Sequence, residues 1–305
     1  MEDNIFLKQA NLLLRVLPII NAHKVFALKG GTAINFFMRN LPRLSVDIDL
    51  TYLPIQERTE SLLDITSRLE IIGETIKKRI PGTIITKRVL KGSDFISGLI
   101  ITGNGVTIKL EPNTVIRGSV NKPQAIKLCK KAEQLFELTL KTQCLSPADL
   151  YGGKICAALD RQHPRDFFDI KLLMENEGIT ETIIKVFIFY LISHDRPIIE
   201  VLNPTLLNIE QIFENEFTGM TFEDITLEDL LRVRNTLITK IKNMLTEEQK
   251  YFLLSFKNKN PDWNLSGIKH LNQYPSVRWK LLNIKKMNKK KHELAYEKLK
   301  EFLIK

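Results

Sequence analysis

Residues 29–32, Lys-Gly-Gly-Thr, and residues 45–50, Ser-Val-Asp-Ile-Asp-Leu, decide the fold of this 305-residue chain. Apolar residues precede the first motif and alternate with aspartate in the second. This pattern predicts a strand, a glycine turn, a short helix and a second strand. Residues two apart in a strand point to the same face, so Asp47 and Asp49 are predicted to lie side by side.

The aspartate pair and the glycine turn suit one ligand. Two neighbouring carboxylates need a cation or hydrogen-bond donors, and a hard divalent ion such as Mg²⁺ prefers oxygen ligands. Gly30 and Gly31 leave backbone N–H groups accessible to an anion. Thr32 is predicted to cap a helix that begins near Ala33. Together the motifs favour a nucleoside triphosphate with its metal, whereas either alone indicates a tight turn or a surface acidic pair.

The same two motifs resemble those of the polymerase-β-like nucleotidyltransferases and, within them, the AbiEii toxins of type IV toxin–antitoxin (abortive infection) systems. The resemblance implies that Gly30, Gly31 and Thr32 bind phosphate. It also implies that Asp47 and Asp49 are catalytic and bind Mg²⁺, or Mn²⁺ in its place.

A third carboxylate follows a predicted hairpin. Residues 103–105, Gly-Asn-Gly, separate two apolar runs, and Lys109 and Glu111 share one face of the second predicted strand. The resemblance implies that Glu111 lies beside the aspartate pair as a catalytic base or further metal ligand. The alternative for Glu111 is a surface residue at the end of a strand.

A helix is predicted after Ser146, a good N-cap residue, with Pro147 in its first turn. Asp149 and Lys154 match the family pattern Asp-x-x-x-x-Lys, which implies a catalytic Lys154 that binds the triphosphate of the nucleotide. A lysine there would stabilise charge on the transferred phosphate or on pyrophosphate. Without the resemblance, Lys154 would be interpreted as an exposed helix residue.

Residues 165–169, Arg-Asp-Phe-Phe-Asp, match a further family pattern. The resemblance implies that Asp166 is needed for activity, through an unidentified chemical role that could be orienting Lys154 or the acceptor. Asp169 lies three residues later on the same helix face and is predicted to be structural, paired with Arg165 or Arg161.

The remaining sequence predicts an α/β (α+β) fold, with a nucleotidyltransferase domain over residues 1–178 and an α-helical domain over 179–305. A strand is predicted over residues 133–142. Trp263 and Trp279 are predicted to pack in the helical core, with base stacking as the alternative. The lysine-rich residues 285–291 are either an RNA-binding segment or a solvated surface.

Composition is that of a soluble globular protein, with 44% apolar and 26% charged residues. No apolar run approaches the roughly 20 residues of a membrane span, and the acidic start is unlike a secretion signal, so a cytoplasmic protein is expected. Three cysteines without metal-site spacing predict reduced thiols. The net charge of +10 favours a polyanionic partner.

The resemblance also implies a reaction. The enzyme would transfer a nucleoside monophosphate from an NTP, releasing pyrophosphate, to the 3′ end of tRNA or to other RNA, and thereby block translation and growth. An AbiEi-like antitoxin would be encoded alongside. Two alternatives are a nucleotidyltransferase that modifies a protein or small molecule, and a non-enzymatic RNA- or nucleotide-binding module.

Overall fold

The structure is a computed structural model that describes residues 4–304. The chain divides into two compact units, the first formed by the chain up to Leu150 with Phe217–Asp224, the second by Tyr151–Glu216 and the chain from Ile225. The two domains expected from the sequence, residues 1–178 and 179–305, remain a prediction, and this division into compact units is a separate description of the chain. Within the described residues, no helix has both the length and the apolar character needed to cross a bilayer.

The first unit combines strands and helices, which confirms the predicted fold class. Its helices and strands are α1 (Ile5–Asn21), β1 (Phe26–Lys29), α2 (Gly30–Ala33), β2 (Asp47–Tyr52), α3 (Arg58–Arg79), β3 (Ile84–Val89), β4 (Ile96–Gly103), β5 (Val106–Asn113), β6 (Gln124–Lys127), α4 (Lys130–Phe136), β7 (Lys141–Cys144) and the start of α5 (Pro147–Arg161). A π-helical turn, Ile34–Met38, continues α2.

The strands of the described chain form one mixed sheet in the order β3-β4-β5-β2-β1-β7-β6. β2 pairs antiparallel with β1 and parallel with β5. Helices α1 and α3 pack on the sheet face that carries Ile48 and Leu110. Because side chains alternate along a strand, Asp47 and Asp49 point to the opposite face.

The prediction of a strand over residues 133–142 was wrong. The structure has helix α4 there, then Glu137 with a left-handed φ of 49°, then β7. Phe136, at the end of α4, packs on Phe36 with ring centroids 6.1 Å apart, so this apolar residue anchors a helix rather than a strand. No strand was predicted at β6, an edge strand whose side chains are mostly exposed and lack apolar alternation.

Residues 217–224 return to the first unit and cover a buried arginine. The amide of Leu44 donates to the Met220 carbonyl at 2.7 Å, and Arg43 and Thr221 form an antiparallel bridge. These contacts explain how Arg43 is 2% exposed although it lies in a short loop before β2.

The second unit is helical. It contains most of α5, followed by α6 (Pro164–Glu175), α7 (Glu181–Leu191), α8 (Ile198–Leu202), α9 (Glu210–Glu216), α10 (Leu227–Met244), α11 (Glu247–Lys257), α12 (Pro275–Lys285) and α13 (Lys289–Ile304). Helix α7 is apolar on most of its surface and is buried accordingly. Gly152 and Gly153 let α5 approach α7 closely, because a Cβ on Gly152 would lie 2.8 Å from the Phe187 nitrogen.

The two tryptophans differ. Trp263 packs against the rings of Phe252 and Phe256, as predicted, with centroids 6.2 and 6.3 Å away. Trp279 is 45% exposed, so the prediction that it packs in the core was wrong. The buried side of α12 carries Val277 and Lys280 rather than Trp279.

Cys129, Cys144 and Cys156 are free thiols. Burial raises the pKa of Cys144 and of Cys156 to about 12. Since the thiolate is the reactive form, these two side chains serve as apolar core residues.

Candidate active site

The glycine turn joins β1 to α2 and lies against an aspartate. Gly30 has a φ of +73°, which residues with a Cβ rarely adopt. A Cβ at this position would also lie 2.5 Å from Asp49 Oδ2. Lys29 is opposite Asp49 in the antiparallel register, so the turn begins directly beside the carboxylate. Both the backbone conformation and the approach of Asp49 therefore require glycine at position 30.

The two aspartates lie on one face of β2, as predicted. Asp47 and Asp49 are half-buried, while Ile48 and Leu50 between and after them are buried. The strand thus uses its apolar side for the core and presents two carboxylates beside the glycine turn.

Thr32 has a different local role from the one predicted. Helix α2 begins at Gly30 rather than near Ala33, so Thr32 lies inside the first turn and is not the N-cap. Its buried hydroxyl donates to the Asp47 carbonyl oxygen at 2.6 Å and lies 2.9 Å from Ser45 Oγ. Thr32 therefore ties the glycine turn to the start of β2.

Gly31 makes room for Arg43. A Cβ on Gly31 would lie 2.5 Å from Arg43 Nη2, and Arg43 Nη1 donates to the Leu44 carbonyl at 2.8 Å. Arg43 is therefore a buried cation that packs against the glycine turn.

The third carboxylate lies beside the pair. In the parallel register of β2 and β5, Asp49 is opposite Glu111 and Asp47 is opposite Lys109. Residues opposite each other in a register point to the same face. The structure therefore brings the two aspartates, Glu111 and Lys109 together on one face of the sheet, while the catalytic role of Glu111 stays a prediction.

Arg88, which the sequence analysis missed, pairs with Glu111. Arg88 lies on β3, two strands from Glu111, and it faces Gly98 on the intervening β4. A Cβ on Gly98 would lie 3.4 Å from Glu111 Cγ and 2.8 Å from the Leu110 carbonyl oxygen. A glycine inside a strand, here Gly98 in β4, was the sequence signal for this close approach.

The number of carboxylates on this face suits Mg²⁺. Mg²⁺ is usually held by one or two carboxylates plus phosphate oxygens and water, and an Asp pair beside a glycine turn supplies that donor set. Over the part of the chain that the structure describes, no group of three or more His, Cys, Asp or Glu side chains is arranged to hold a metal ion.

Asp149 is an anchor at the start of α5. Its buried carboxylate accepts hydrogen bonds from the Val120 amide at 2.7 Å, from the amide and side chain of Asn121, and from Ser146 Oγ. The Ser146 hydroxyl accepts from the Asp149 amide, which confirms the predicted N-cap. Asp149 thus fixes the first turn of the helix that carries Lys154.

In the second unit, Lys154 lies in a buried charge cluster. Its Nζ is 2.9 Å from Asp166 Oδ1 and 2.9 Å from Asp169 Oδ2, and all three side chains are at most 5% exposed. Arg161 adds two hydrogen bonds to Asp166. Burial raises the pKa of Asp166, but the charges of Lys154 and Arg161 outweigh it and hold that pKa well below its usual range.

This cluster assigns partners to both predicted aspartates. Asp166 contacts Lys154, one of the two groups, with the acceptor, that it was predicted to orient. Asp169 was predicted to pair with Arg165 or Arg161, and the structure shows its carboxylate in an ion pair with Lys154. His163 caps α6 by accepting from the Arg165 amide at 3.1 Å. Burial lowers the pKa of His163, consistent with a neutral capping ring.

The family model of the nucleotidyl transferase AbiEii toxins, type IV toxin–antitoxin system, matches residues 11–283. The chain belongs to the AbiEii family. It is therefore a nucleotidyltransferase toxin, and an AbiEii toxin of a type IV system implies an antitoxin partner. The glycine turn and the aspartate pair both lie inside the matched region of this AbiEii chain.

A solved structure with a similar fold is MenT4, a nucleotidyltransferase toxin from Mycobacterium tuberculosis H37Rv. The TM-score is 0.55 at 13% sequence identity, and the match covers 97% of the AbiEii chain and 92% of MenT4. At this identity the likeness is evidence for the fold. A comparison with curated protein sequences gave no match.

Proposed function

We propose that this AbiEii toxin transfers a nucleoside monophosphate from an NTP to the 3′ end of tRNA in a Mg²⁺-dependent reaction. The observation that carries the proposal is the approach of Asp49 to Gly30, where a Cβ would lie 2.5 Å from the carboxylate oxygen. Two carboxylates beside backbone N–H groups suit a metal-bound triphosphate better than they suit a purely structural turn.

Asp47 and Asp49 would hold Mg²⁺, or Mn²⁺ in its place. When bound, the metal would supply positive charge to the phosphates and so stabilise the charge that develops during transfer. The backbone N–H groups of Gly30, Gly31 and Thr32 would bind the triphosphate. The Thr32 hydroxyl would contribute indirectly, because it donates to the Asp47 carbonyl and holds the turn against β2.

Glu111 would accept the proton of the attacking ribose hydroxyl. The hydroxyl oxygen forms a bond to the α-phosphorus, the bond from that phosphorus to the β-phosphate oxygen breaks, and pyrophosphate leaves with the electron pair. Glu111 neighbours Asp49 on the same sheet face, which supports this role. Arg88, paired with Glu111, would hold the carboxylate until the acceptor arrives.

Lys154 would stabilise the transferred phosphate or the leaving pyrophosphate. Asp166 and Asp169 each contact its ammonium group at 2.9 Å, and we propose that they position it. This role makes Asp166 a positioning residue that acts through Lys154.

The acceptor is proposed from family membership and charge. A net charge of +10 favours a polyanion such as tRNA. A nucleotide added to the tRNA 3′ end would block aminoacylation, and translation and growth would stop in the cytoplasm. The implied antitoxin would be an AbiEi-like transcriptional repressor encoded alongside.

The decisive experiment expresses the wild type and Asp49→Ala in a bacterium and sequences tRNA 3′ ends. We expect added nucleotides and growth arrest with the wild type and neither with Asp49→Ala. An exposed carboxylate, Asp94, gives the matched control, and Asp94→Ala should behave as the wild type.

Purified enzyme incubated with labelled NTPs and either total tRNA or protein separates the alternatives. Label on protein with none on tRNA would replace tRNA by a protein acceptor. Growth arrest that persists in Asp47→Ala would instead indicate a non-enzymatic binding module.

A further inference from the structure

A cavity of about 470 Å³ lies within the second unit, and its lining contains none of the residues of the proposed active site. Its lining combines apolar side chains, among them Ile284 and Met287, with the lysines Lys257, Lys280, Lys291 and Lys298. Pockets of this volume commonly hold small molecules. The combination of apolar and cationic lining indicates a ligand with an apolar body and an anionic group.

Lys257 is the unusual member of the lining. It is 6% exposed, and among residues 4–304 the acceptor that its Nζ reaches is Met287 Sδ, at 3.6 Å. A thioether sulfur is a weak acceptor, and a buried ammonium group that lacks an oxygen partner is costly. Burial lowers the pKa of Lys257, in keeping with this environment.

Lys280, in contrast, is already satisfied. Its Nζ donates to the carbonyl oxygens of His194, Asp195 and Arg196, so its three N–H donors all have acceptors. Lys280 therefore binds the backbone of the residues that follow α7 and has no donor left for a ligand. Lys257 still has N–H donors that a ligand could accept from.

Helix α13 adds two more cations. Lys291, Leu294, Ala295 and Lys298 follow the spacing i, i+3, i+4, i+7, which forms one stripe along a helix, and all four line the cavity. Leu294 is 58% exposed, so a ligand could cover an apolar side chain that is now in solvent. His292, on the same helix, donates from Nε2 to the Lys257 carbonyl at 2.7 Å and holds α13 against α11.

The cavity has an excess of positive charge. Within the described residues, Lys257, Lys291 and Lys298 form no ion pair with a carboxylate. Four lysines line the cavity with only two carboxylates, Asp195 and Glu200, and Glu200 lies 3.6 Å from Arg196 Nε. A dianionic group such as phosphate would supply the acceptors that these lysines lack.

We propose that this cavity binds a small organic phosphate of mononucleotide size. The phosphate would contact the ammonium groups of Lys257, Lys291 and Lys298, and the base would cover Leu294 and Met287. The proposal is independent of the catalytic assignment, since none of the lining residues belongs to the proposed active site.

Met287 provides the probe. The chain has six methionines, so a protein labelled with ¹³C at the methionine methyl groups gives a simple NMR spectrum in which Met287→Leu identifies the Met287 signal. We expect AMP to shift this signal saturably with an affinity in the roughly millimolar range or tighter, and adenosine without phosphate to leave it in place.

Lys257→Met should weaken AMP binding at least about tenfold, the loss expected for one charge-assisted hydrogen bond. Lys250→Met is the matched control on the same helix, because Lys250 pairs with Glu247 at the surface, and it should not change AMP binding. If Lys257→Met does not fold, the double variant Lys291→Met, Lys298→Met at exposed positions tests the same charge. A Met287 signal that AMP does not move, or an affinity unchanged in the lysine variants, would overturn the proposal.

Discussion

The sheet face of the first unit and the charge cluster of the second hold their carboxylates in opposite ways. Asp49 is half-buried beside a glycine turn, and Glu111 next to it has a side chain that is 39% exposed. Asp166 and Asp169 are fully buried on either side of the Lys154 ammonium. A buried charge must be compensated within the fold, whereas a partly exposed one can be compensated by a ligand. Substitutions on the sheet face should therefore reduce activity with little change in stability, whereas those in the cluster should reduce stability together with the activity that depends on Lys154.

The largest effect is expected for Asp49→Ala. Loss of one metal-binding carboxylate should lower the nucleotide transfer rate by about a thousandfold or more, or roughly 4 kcal/mol, while the melting temperature stays close to that of the wild type. Labelled-NTP transfer and thermal unfolding measure the two quantities. An inactive variant that also melts far below the wild type would remove the contrast between the two regions.

Asp166→Ala should lower the free energy of unfolding by about 3 kcal/mol, because it removes a buried partner of Lys154. Denaturant unfolding measures this change. Glu175→Ala, which removes an exposed partner of Lys171 on the same helix, is the matched control and should have an effect below about 1 kcal/mol. Equal losses in the two variants would show that the cluster contributes no more than a surface pair.

The cluster should also make stability depend on pH in the acidic range. The pKa of Asp166 is below its ordinary value of 3.8 in the folded protein, so its contribution is complete above that value and is lost as pH falls toward the folded pKa. Unfolding measured between neutral pH and about pH 2 should show a steeper loss below pH 4 in the wild type than in Asp166→Asn. If stability falls with pH in the same way in the wild type and in Asp166→Asn, ionised Asp166 does not stabilise the folded protein.

The two glycines of the turn should differ. Gly30→Ala forces a Cβ into the Asp49 carboxylate at a positive φ and should cost about 1–2 kcal/mol of stability together with most of the activity. Gly31→Ala meets the end of the Arg43 side chain, which can shift, so its effect should be smaller. Unfolding and transfer assays on both variants test this order, and a reversed order would indicate that Arg43 is rigidly held.

The smallest effect is expected for Arg88→Met. Arg88 and Glu111 form a pair whose side chains are 48% and 39% exposed, so the free energy of unfolding should change by less than about 1 kcal/mol. Denaturant unfolding provides the test, with Lys87→Met as a neighbouring control that removes the surface pair with Glu70.

Much of the fold could be predicted because it follows from periodicity and turn chemistry. The strand before the glycine turn and the strand that carries Asp47 and Asp49 are β1 and β2, the hairpin of β4 and β5 turns at residues 103–105, and α5 begins after Ser146, all as predicted. The secondary structure of residues 130–144 could not be predicted from periodicity. Their apolar spacing suits a strand or a helix equally, and contact with Phe36 selects a helix.

The active-site face was predictable within a strand but not between strands. Alternation placed Asp47 and Asp49 on one side, and the family pattern suggested Glu111. The pairing of Glu111 with Arg88 depends on the strand order β3-β4-β5, which local sequence does not encode. Burial of Arg43 depends on residues 217–224, which are distant in the chain.

The strand order also determines which way the two neighbouring carboxylates lean. Asp49 approaches Gly30, at the end of β1, while Glu111 reaches across β4 to Arg88, so their oxygens are drawn toward opposite edges of the sheet. This divergence reduces the repulsion between them when no ligand is bound. A change of side-chain rotamer at Glu111, with release of Arg88, would turn its carboxylate toward Asp49 while the strands stay in place. We therefore expect substrate binding to bring the Glu111 carboxylate toward Asp49 by a change of one side-chain rotamer, while the strands of the sheet stay in place.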